Sequence, residues 1–306
     1  MNSNNFKRAV NYATILGLVN YSKKALRSLS QLDELVETEE PGDLFNSLAK
    51  LFSTSKHSIS RIYNRCLKSF QDYTEDYHII YRKDPLYPEL LEKTDDAPLF
   101  LFCEGEIDLF NKKGISVVGT RNPSDLGVRR ARKLAMLLAA DGYVVVSGLA
   151  KGIDTAAHTG AIKAGGRTIA VIGTPLDRSY PKENSALQKV IAQGHLLVSQ
   201  FPFTHPVTKF NFPARNYTMS GISRATVVIE ASESSGALIQ ARQCMAQGRH
   251  LFILRNLLDR DDLKWPGQYR EKGAFVISDI EDVPNALKEL PSYKLGPDEQ
   301  TYSMFS

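Results

Sequence analysis

The chain has 306 residues, of which 42% are hydrophobic and 24% are charged. This balance excludes disorder of the whole chain and suits one sizeable core with a smaller unit beside it. The formal net charge of +4 permits a nucleic-acid partner without requiring one, so such a partner would have to meet a local concentration of lysine and arginine.

The cellular compartment is indicated by the cysteines and by the lack of long apolar stretches. Cys66, Cys103 and Cys244 are scattered, without the paired spacing of a zinc site or a disulfide framework, and are predicted to be reduced structural thiols. No stretch has the form of a signal peptide or the apolar length of a membrane span. We therefore expect a cytoplasmic protein without a membrane partner.

Residues 1–75 are predicted to form a small helical domain. Leucines and isoleucines recur there at helical spacing among lysines and arginines, as in FKRAVNYATILGLVNYSKKALRSL and HSISRIYNRCLKSF. The segment VETEEPGDL contains Pro41 and Gly42 and favours a loop between helices. Residues 76–113 are rich in proline, end in the extended run LFLFC, and are predicted to be a connector into the main domain.

Residues 114–290 show strands and helices in alternation. The candidate strands are ISVVG (115–119), YVVVS (143–147), RTIAVIG (167–173), HLLVS (195–199), TVVIE (226–230) and HLFIL (250–254). Their successive apolar residues are typical of strands covered by helices on both faces. The fold class is therefore predicted to be α/β, a Rossmann-like, doubly wound and mostly parallel sheet with a small N-terminal helical domain. AFVIS and IEDVPNALKEL predict one more strand and helix before a tail at 291–306.

Three loops after predicted strands combine glycine with small hydroxyl residues: VVGTRNPS, VVSGLAKGID and VIEASESSGAL. Ligands of such sheets bind outside the carboxyl ends of the strands, and glycine lets backbone amides approach a phosphate. The candidate anion-binding residues of these loops are Gly119, Ser147, Gly148, Ser235 and Gly236. The alternative is that the glycines only permit tight turns. Neither G-x-G-x-x-G nor G-x-x-x-x-G-K-[ST] occurs, so we predict no dinucleotide or ATP cofactor.

Cations and aromatic residues occupy the same predicted loops. The cations are Arg121, Lys151, Lys182, Lys209 and Arg215. Phe210 and Phe212 lie between the last two of them, and this mixture is typical of single-strand binding, in which cations follow the backbone and aromatic rings stack on bases. Each cation taken singly could be an ordinary surface residue. Phe201, further upstream, is expected to fill the core.

The sequence offers little for catalysis. Asp154 and His158 are one helical turn apart, but no third partner is evident, and a structural hydrogen bond is the favoured interpretation. Glu230 and Glu233 could be general bases of a nucleotide hydrolase or could cap a helix or loop. The run RRARK is interpreted as a solvated helix face. We predict a binding protein rather than an enzyme, with no metal site.

The sequence resembles the DprA/Smf family over about residues 81–254. The resemblance is carried, in order and spacing, by YPELLEKTDDAPLFLFCEG, ISVVGTR, SGLAKGIDTAAH, GGRTIAVIGTPLDRSYPKEN, NFPARN, SGIS and SSGALIQA. It implies a homodimer that binds and protects single-stranded DNA and helps to load a RecA-type recombinase in natural transformation or recombination. The residues that it assigns to DNA contacts are Arg121, Lys182, Phe212, Arg215 and Asn216.

The chain departs from the family pattern at two points. Ala214 stands where the family usually has the first of two adjacent arginines, which is expected to weaken or reshape one phosphate contact. The tail at 291–306 is too short for the winged helix that many members carry. Two alternatives stay open: a nucleotide-processing hydrolase related to the phosphoribohydrolases, although SSGAL replaces their P-G-G-x-G-T loop, and a sensor of a small nucleotide.

Overall fold

A computed structural model describes residues 3–290, and the tail predicted at 291–306 lies outside the described residues. The first part is helical, as its leucine and isoleucine spacing predicts. Its helices are α1 (Ser3–Leu18), α2 (Lys23–Arg27), α3 (Leu32–Glu37), α4 (Pro41–Phe52) and α5 (Lys56–Gln71). Pro41 and Gly42 were expected in a loop, but they form the first turn of α4, where proline fits because that position needs no intrahelical N–H bond.

The remaining described chain alternates strands and helices around one sheet. The strands are β1 (His78–Tyr81), β2 (Phe100–Gly105), β3 (Gly114–Val118), β4 (Val144–Ser147), β5 (Thr168–Ile172), β6 (Leu196–Ser199), β7 (Ala225–Val228), β8 (His250–Leu254) and β9 (Phe275–Ile277). The helices are α6 (Glu89–Glu92), α7 (Asp125–Ala140), α8 (Ile153–Lys163), α9 (Ser185–Gly194), α10 (Asn211–Gly221), α11 (Ala237–Ala246), α12 (Arg255–Leu258), α13 (Trp265–Glu271) and α14 (Val283–Glu289).

The sheet of the described residues has the order β1-β2-β6-β5-β4-β3-β7-β8-β9. The strands from β3 to β9 pair in parallel, for example with Val117 opposite Val227, whereas β1 and β2 are antiparallel at one edge. The chain proceeds outward from β3 to β6, returns to pair β7 with the other side of β3, and then continues outward. This is the doubly wound, mostly parallel α/β sheet that the sequence predicts.

The predicted connector at 76–113 differs from the expectation, because it supplies β1 and β2. The sequence signal for β2 was the run LFLFC (99–103), which overlaps that strand. β1 is only four residues long, and its HIIY sequence follows a helix without a glycine or proline between them, so periodicity gave no signal for it.

The two faces of the sheet bury two hydrophobic cores, and alternate residues of a strand point into each. On β5, Ile169 and Val171 belong to one core, whereas Ala170 and Ile172 belong to the other. The second core also contains the buried residues of α1, α4 and α5. The helical N-terminal part therefore covers one face of the sheet, and the predicted domain division at residue 75 does not coincide with a break in packing.

Within residues 3–290, no helix combines the length and the apolar character that crossing a membrane requires.

Candidate nucleic-acid interface

The predicted site residues follow strands whose carboxyl ends lie at one edge of the sheet. Arg121 follows β3, Lys151 follows β4, and Lys182 follows β5. The segment from 200 to 216, with Lys209, Phe212 and Arg215, follows β6 and continues into α10. The parallel topology therefore brings these loops together, as the sequence predicts.

Arg121 and Phe212 meet across two of these loops. The guanidinium carbon of Arg121 lies 5.9 Å from the centre of the Phe212 ring, which is the geometry of a cation–π contact. The ring of Tyr180, from the loop after β5, lies 5.2 Å from the Phe212 ring. The same ring packs on Gly173, where a Cβ atom would come within 2.7 Å of it. Glycine at 173 is thus required for this close approach.

Three cations of the loops after β3, β5 and β6 are exposed: Arg121, which makes this contact, Lys182 and Lys209. Among the described residues none of them lies within ion-pair distance of a carboxylate. Lys209 lies 5.4 Å from the centre of the Phe210 ring, and Phe210 is 72% exposed. We call Arg121, Lys182, Lys209, Phe210 and Phe212 the rim. It offers positive charge without partners and an aromatic face open to solvent.

Lys151 differs from the rim cations because it forms an ion pair with Glu183, with Nζ 2.5 Å from Oε1. Both side chains are more than half exposed, so solvent screens the pair. The positive charge of Lys151 is nevertheless partly compensated in the protein, unlike that of Lys182 nearby in the chain.

Arg215 is buried rather than exposed, with 5% of its surface accessible. Its Nη1 donates to the carbonyl oxygens of Gly148 and Val171, and its Nε donates to Asn216 Oδ1 over 3.0 Å. Burial lowers the pKa of Arg215 to about 10. The side chain ties the ends of β4 and β5 together beneath the rim, so its place differs from the phosphate contact that the sequence predicts.

The carboxylate of Asp154 accepts hydrogen bonds from backbone amides of the loop after β4, which was expected to face a phosphate. Its Oδ2 accepts from the amides of Gly148, over 3.2 Å, and of Ala150, over 3.3 Å. Burial raises the pKa of this carboxyl, and the charge of Arg215 acts in the opposite direction. The loop after β4 is thus closed internally by a carboxylate and an arginine.

The other predicted contacts at this edge are largely structural. Ser147 is fully buried and donates to the carbonyl oxygen of Val117 over 2.7 Å. Asn216, 8% exposed, donates to the carbonyl oxygen of Gly236 over 3.4 Å. A Cβ atom at Gly119 would come within 2.5 Å of Ile153, so this glycine permits a close approach between β3 and α8.

The turn before α11 is more open. Ser235 is half-buried, and its Oγ accepts from the amide of Ala237 over 3.3 Å. Gly236 is exposed, and a Cβ atom there would meet open space. Neither residue contacts a rim residue in the hydrogen bonds described, so their predicted role in DNA binding stays a prediction.

The carboxylates considered for catalysis are engaged in the scaffold. Glu230 accepts from Ser124 Oγ over 2.8 Å at the start of α7, and Glu233 accepts from the amides of Lys264 and Trp265. No group of three or more histidine, cysteine, aspartate or glutamate side chains is arranged for a metal ion within residues 3–290. The run RRARK has the solvated face that was expected, since Arg129 and Arg132 are exposed.

His158 does not contact Asp154 through a hydrogen bond but pairs with Thr168, with Nδ1 2.7 Å from Oγ1. The Thr168 hydroxyl donates its proton to the carbonyl oxygen of Val145, so Nδ1 of His158 must be the donor. Nε2 is buried without a hydrogen-bond partner. A second proton there would be buried and unpaired, and burial accordingly lowers the pKa of His158 to about 3.

This histidine is expected to make stability depend on pH. Its folded pKa lies below the ordinary 6.5, so its contribution is fully present above pH 6.5 and is lost as the pH falls toward 3. Between pH 7 and pH 5 it should lower the free energy of unfolding by about 2 kcal/mol. Urea unfolding of the native chain and of His158→Asn, whose amide can still donate to Thr168, measures this. The other histidines are the same in both proteins, so an equal pH dependence of the two would contradict the assignment.

Two exposed aromatic residues of this site, Tyr180 and Phe210, are not among the residues that the sequence predicts to contact DNA. Tyr180 contacts Phe212 and is 49% exposed, and its signal was an aromatic residue two positions before Lys182 in SYPK. The sequence predicts base stacking on Phe212, whereas Phe210, which lies between the same cations, is the more exposed of the two. Phe201 is 6% exposed and lies in the core, as expected.

Known proteins resemble this chain in sequence. DNA processing protein DprA of Streptococcus pneumoniae is 44% identical over 171 residues, which cover 56% of this chain and 60% of that protein. Protein Smf of Synechocystis is 38% identical over 71% of this chain and 56% of its own length. DprA of Bacillus subtilis is 36% identical over 77% of this chain and 79% of that protein. The matched region thus spans less than two thirds of the first two relatives.

Solved structures resemble the chain over a wider range. The X-ray structure of DprA from S. pneumoniae has a TM-score of 0.71 and 31% identity, and covers 96% of this chain and 100% of that one. DprA of Helicobacter pylori, whose structure concerns its single-stranded DNA binding mode, has a TM-score of 0.62 and 28% identity over 70% of this chain and 96% of that one. The sequence model of DNA recombination-mediator protein A matches residues 78–288, well over half of the chain. The chain therefore belongs to the DNA recombination-mediator protein A family.

Proposed function

We propose that this chain binds single-stranded DNA along the rim. The observation that carries the proposal is the contact of Arg121 with the Phe212 ring at 5.9 Å, together with exposed Lys182 and Lys209 in the loops after β5 and β6, which form no ion pair among the described residues. Cations without carboxylate partners can neutralise phosphates, and each phosphate contact releases counterions. The H. pylori relative is described as a single-stranded DNA binder, which supports the same class of ligand here.

The aromatic part of the rim favours a single strand over a duplex. The ring of Phe210 is 72% exposed beside Lys209, and an unpaired base can stack on it. In a duplex the bases are already stacked on one another, so this ring would have no face to meet. The DNA is thus held by backbone charge and base stacking, largely without regard to sequence.

The wider role is proposed on the basis of family membership. We propose that the chain acts by binding rather than by catalysis, and the hydrogen bonds that Glu230 and Glu233 accept from the scaffold support this. As a cytoplasmic homodimer it protects single-stranded DNA and helps to load a RecA-type recombinase onto it. The recombinase partner and the dimer are proposed because the family resemblance implies them. Recombinase loading requires a contact with DNA, and the rim supplies that contact in this proposal.

A titration against salt tests the DNA contact directly. Labelled single-stranded and double-stranded oligonucleotides of the same sequence are bound at several salt concentrations. We expect the single strand to bind more tightly, with a logarithmic salt slope of about −2 for three phosphate contacts. Equal affinity for the duplex, or an affinity indifferent to salt, would contradict the proposal, as would a nucleoside monophosphate that binds more tightly than the oligonucleotide.

Replacing Phe210 by alanine is expected to weaken single-strand binding about tenfold without changing the salt slope, because the ring stacks on a base and carries no charge. Val207→Ala is the matched control, since Val207 is also an exposed apolar residue of the loop after β6. Binding is measured by fluorescence anisotropy. An unchanged affinity, or the same loss in the control, would exclude base stacking on Phe210.

A further inference from the structure

A cleft of about 550 Å3 lies between the helical N-terminal part and the loops after β5 and β6. Its volume is within the range of about 300–1,000 Å3 typical of small-molecule sites. Its charged lining residues are Arg65, Asp72, Asp177 and Arg178, and its aromatic ones are Tyr21, Tyr73 and Phe203. None of them is among the predicted DNA contacts.

We infer that this cleft binds one nucleotide unit of the single strand that occupies the rim. The inference rests on the proposed function and extends it, because it assigns a second contact region to the same strand. The helical N-terminal part thereby becomes part of the DNA-binding surface.

The positive charge of the cleft comes from two walls, and the carboxylates of Asp72 and Asp177 lie beside it. Arg65, on α5, is exposed and forms no ion pair among the described residues. Arg178, in the loop after β5, is 45% exposed; it lies 3.9 Å from the Asp177 carboxylate and donates to the carbonyl oxygen of His205 over 3.5 Å. The two guanidinium groups can hold a phosphate at the mouth of the cleft.

The aromatic lining is held in place by the fold. The Tyr21 hydroxyl donates to the carbonyl oxygen of Thr204 over 3.0 Å, and its ring lies 4.9 Å from that of His205. The Tyr73 ring lies 4.6 Å from that of buried Phe203. Fixed aromatic surfaces of this kind stack on an unpaired base with little loss of side-chain entropy.

The carboxylates of Asp72 and Asp177 distinguish this cleft from a plain anion site. A carboxylate repels phosphate but accepts a hydrogen bond from the exocyclic amino group of a base, as acidic side chains do with cytosine. The lining therefore fits a whole nucleotide, with the phosphate toward the arginines and an amino-bearing base toward Asp177. Thymine, which has no exocyclic amino group, fits less well.

The cleft and the rim are built from the same two loops. Arg178 is two residues from Tyr180, which contacts Phe212, and two residues span at most about 7 Å. On the other loop, the carbonyl oxygen of Pro206, at the cleft wall, accepts from Asn211 Nδ2 over 3.1 Å, next to Phe210 and Phe212 in the chain. One strand can therefore pass from the rim into the cleft.

The test compares oligonucleotides of deoxycytidine of about 4 and about 16 nucleotides, the range of single-strand site sizes. The full chain carries Arg65→Gln with Arg178→Gln. The control carries Arg61→Gln with Arg224→Gln, both exposed and without ion pairs among the described residues, and equal in charge. Arg61 lies one turn before Arg65 on α5, and Arg224 lies at the amino end of β7. Circular dichroism checks that both variants are folded.

We expect the cleft variant to bind the long oligonucleotide about tenfold more weakly than the native chain, with a salt slope reduced by about 1, and to bind the short one unchanged. The control should bind both as the native chain does. If the long oligonucleotide is unaffected, or if both lengths lose affinity equally, the cleft is not part of the strand path although the rim still is.

Two further outcomes separate the sources of failure. If the native chain binds neither oligonucleotide, the proposed function itself fails. If deoxycytidine monophosphate binds the native chain as tightly as the long oligonucleotide and the cleft variant loses it, the cleft is an independent nucleotide site, and its assignment to the strand is overturned.

Discussion

Replacing Arg215 by methionine is expected to lower the free energy of unfolding by about 3–5 kcal/mol. The guanidinium is buried and donates to the carbonyl oxygens of Gly148 and Val171. Its charge also counteracts the rise in pKa that burial causes for the Asp154 carboxyl. Methionine keeps much of the volume but leaves these oxygens without a donor and the carboxylate without a compensating charge. Urea unfolding at neutral pH measures the difference.

A second variant distinguishes loss of charge compensation from loss of packing. Adding Asp154→Asn to Arg215→Met removes the uncompensated carboxylate but keeps an oxygen that accepts from the amides of Gly148 and Ala150. We expect it to recover part of the lost stability. Arg121→Met, at an exposed site, should change stability by less than about 0.5 kcal/mol. Equal stability of Arg215→Met and the native chain would show that Arg215 does not tie β4 to β5.

The parallel part of the sheet could be predicted because its strands are short and continuously apolar. The strand predicted at 143–147 is observed at Val144–Ser147, and the one at 250–254 is observed unchanged. The antiparallel edge could not be predicted, since β1 has four residues and pairs with β2 through contacts distant in sequence. Local patterns report which residues are apolar but not which distant strand they pair with.

The sequence indicates which segments hold the candidate site residues, but it does not indicate how deeply each side chain is buried. The sequence predicts Phe212 and Arg215 in a loop, whereas both lie on α10, three residues apart. Their different burial depends on Gly148, where a Cβ atom would overlap the Arg215 guanidinium. Gly148, distant in sequence, leaves the space through which Arg215 reaches the carbonyl oxygens at β4 and β5. Neither the segment that contains Gly148 nor the segment that contains Arg215 indicates this burial when it is considered alone.

Removing the three free cations of the rim together should weaken single-strand binding by more than about 100-fold at low salt, because each neutralises one phosphate. The variant is Arg121→Ala with Lys182→Ala and Lys209→Ala. The magnitude of its logarithmic salt slope should fall by about 2, since each single-strand phosphate that is no longer neutralised reduces that magnitude by about 0.7. All three residues are exposed and form no ion pair within the described chain, so the free energy of unfolding should hardly change. Fluorescence anisotropy at several salt concentrations measures the affinity and its salt slope.

The matched control separates a located contact from general charge attraction. Lys113, Lys163 and Arg224 are exposed, lie near the amino ends of β3, β5 and β7, and form no ion pairs among the described residues. Replacing these three by alanine removes the same charge from the amino ends of the strands, at the end of the sheet opposite the rim. If binding depends on net charge alone, both triple variants lose affinity equally. If the strand lies on the rim, the control keeps nearly all of its affinity, because charges farther away than about one Debye length are largely screened.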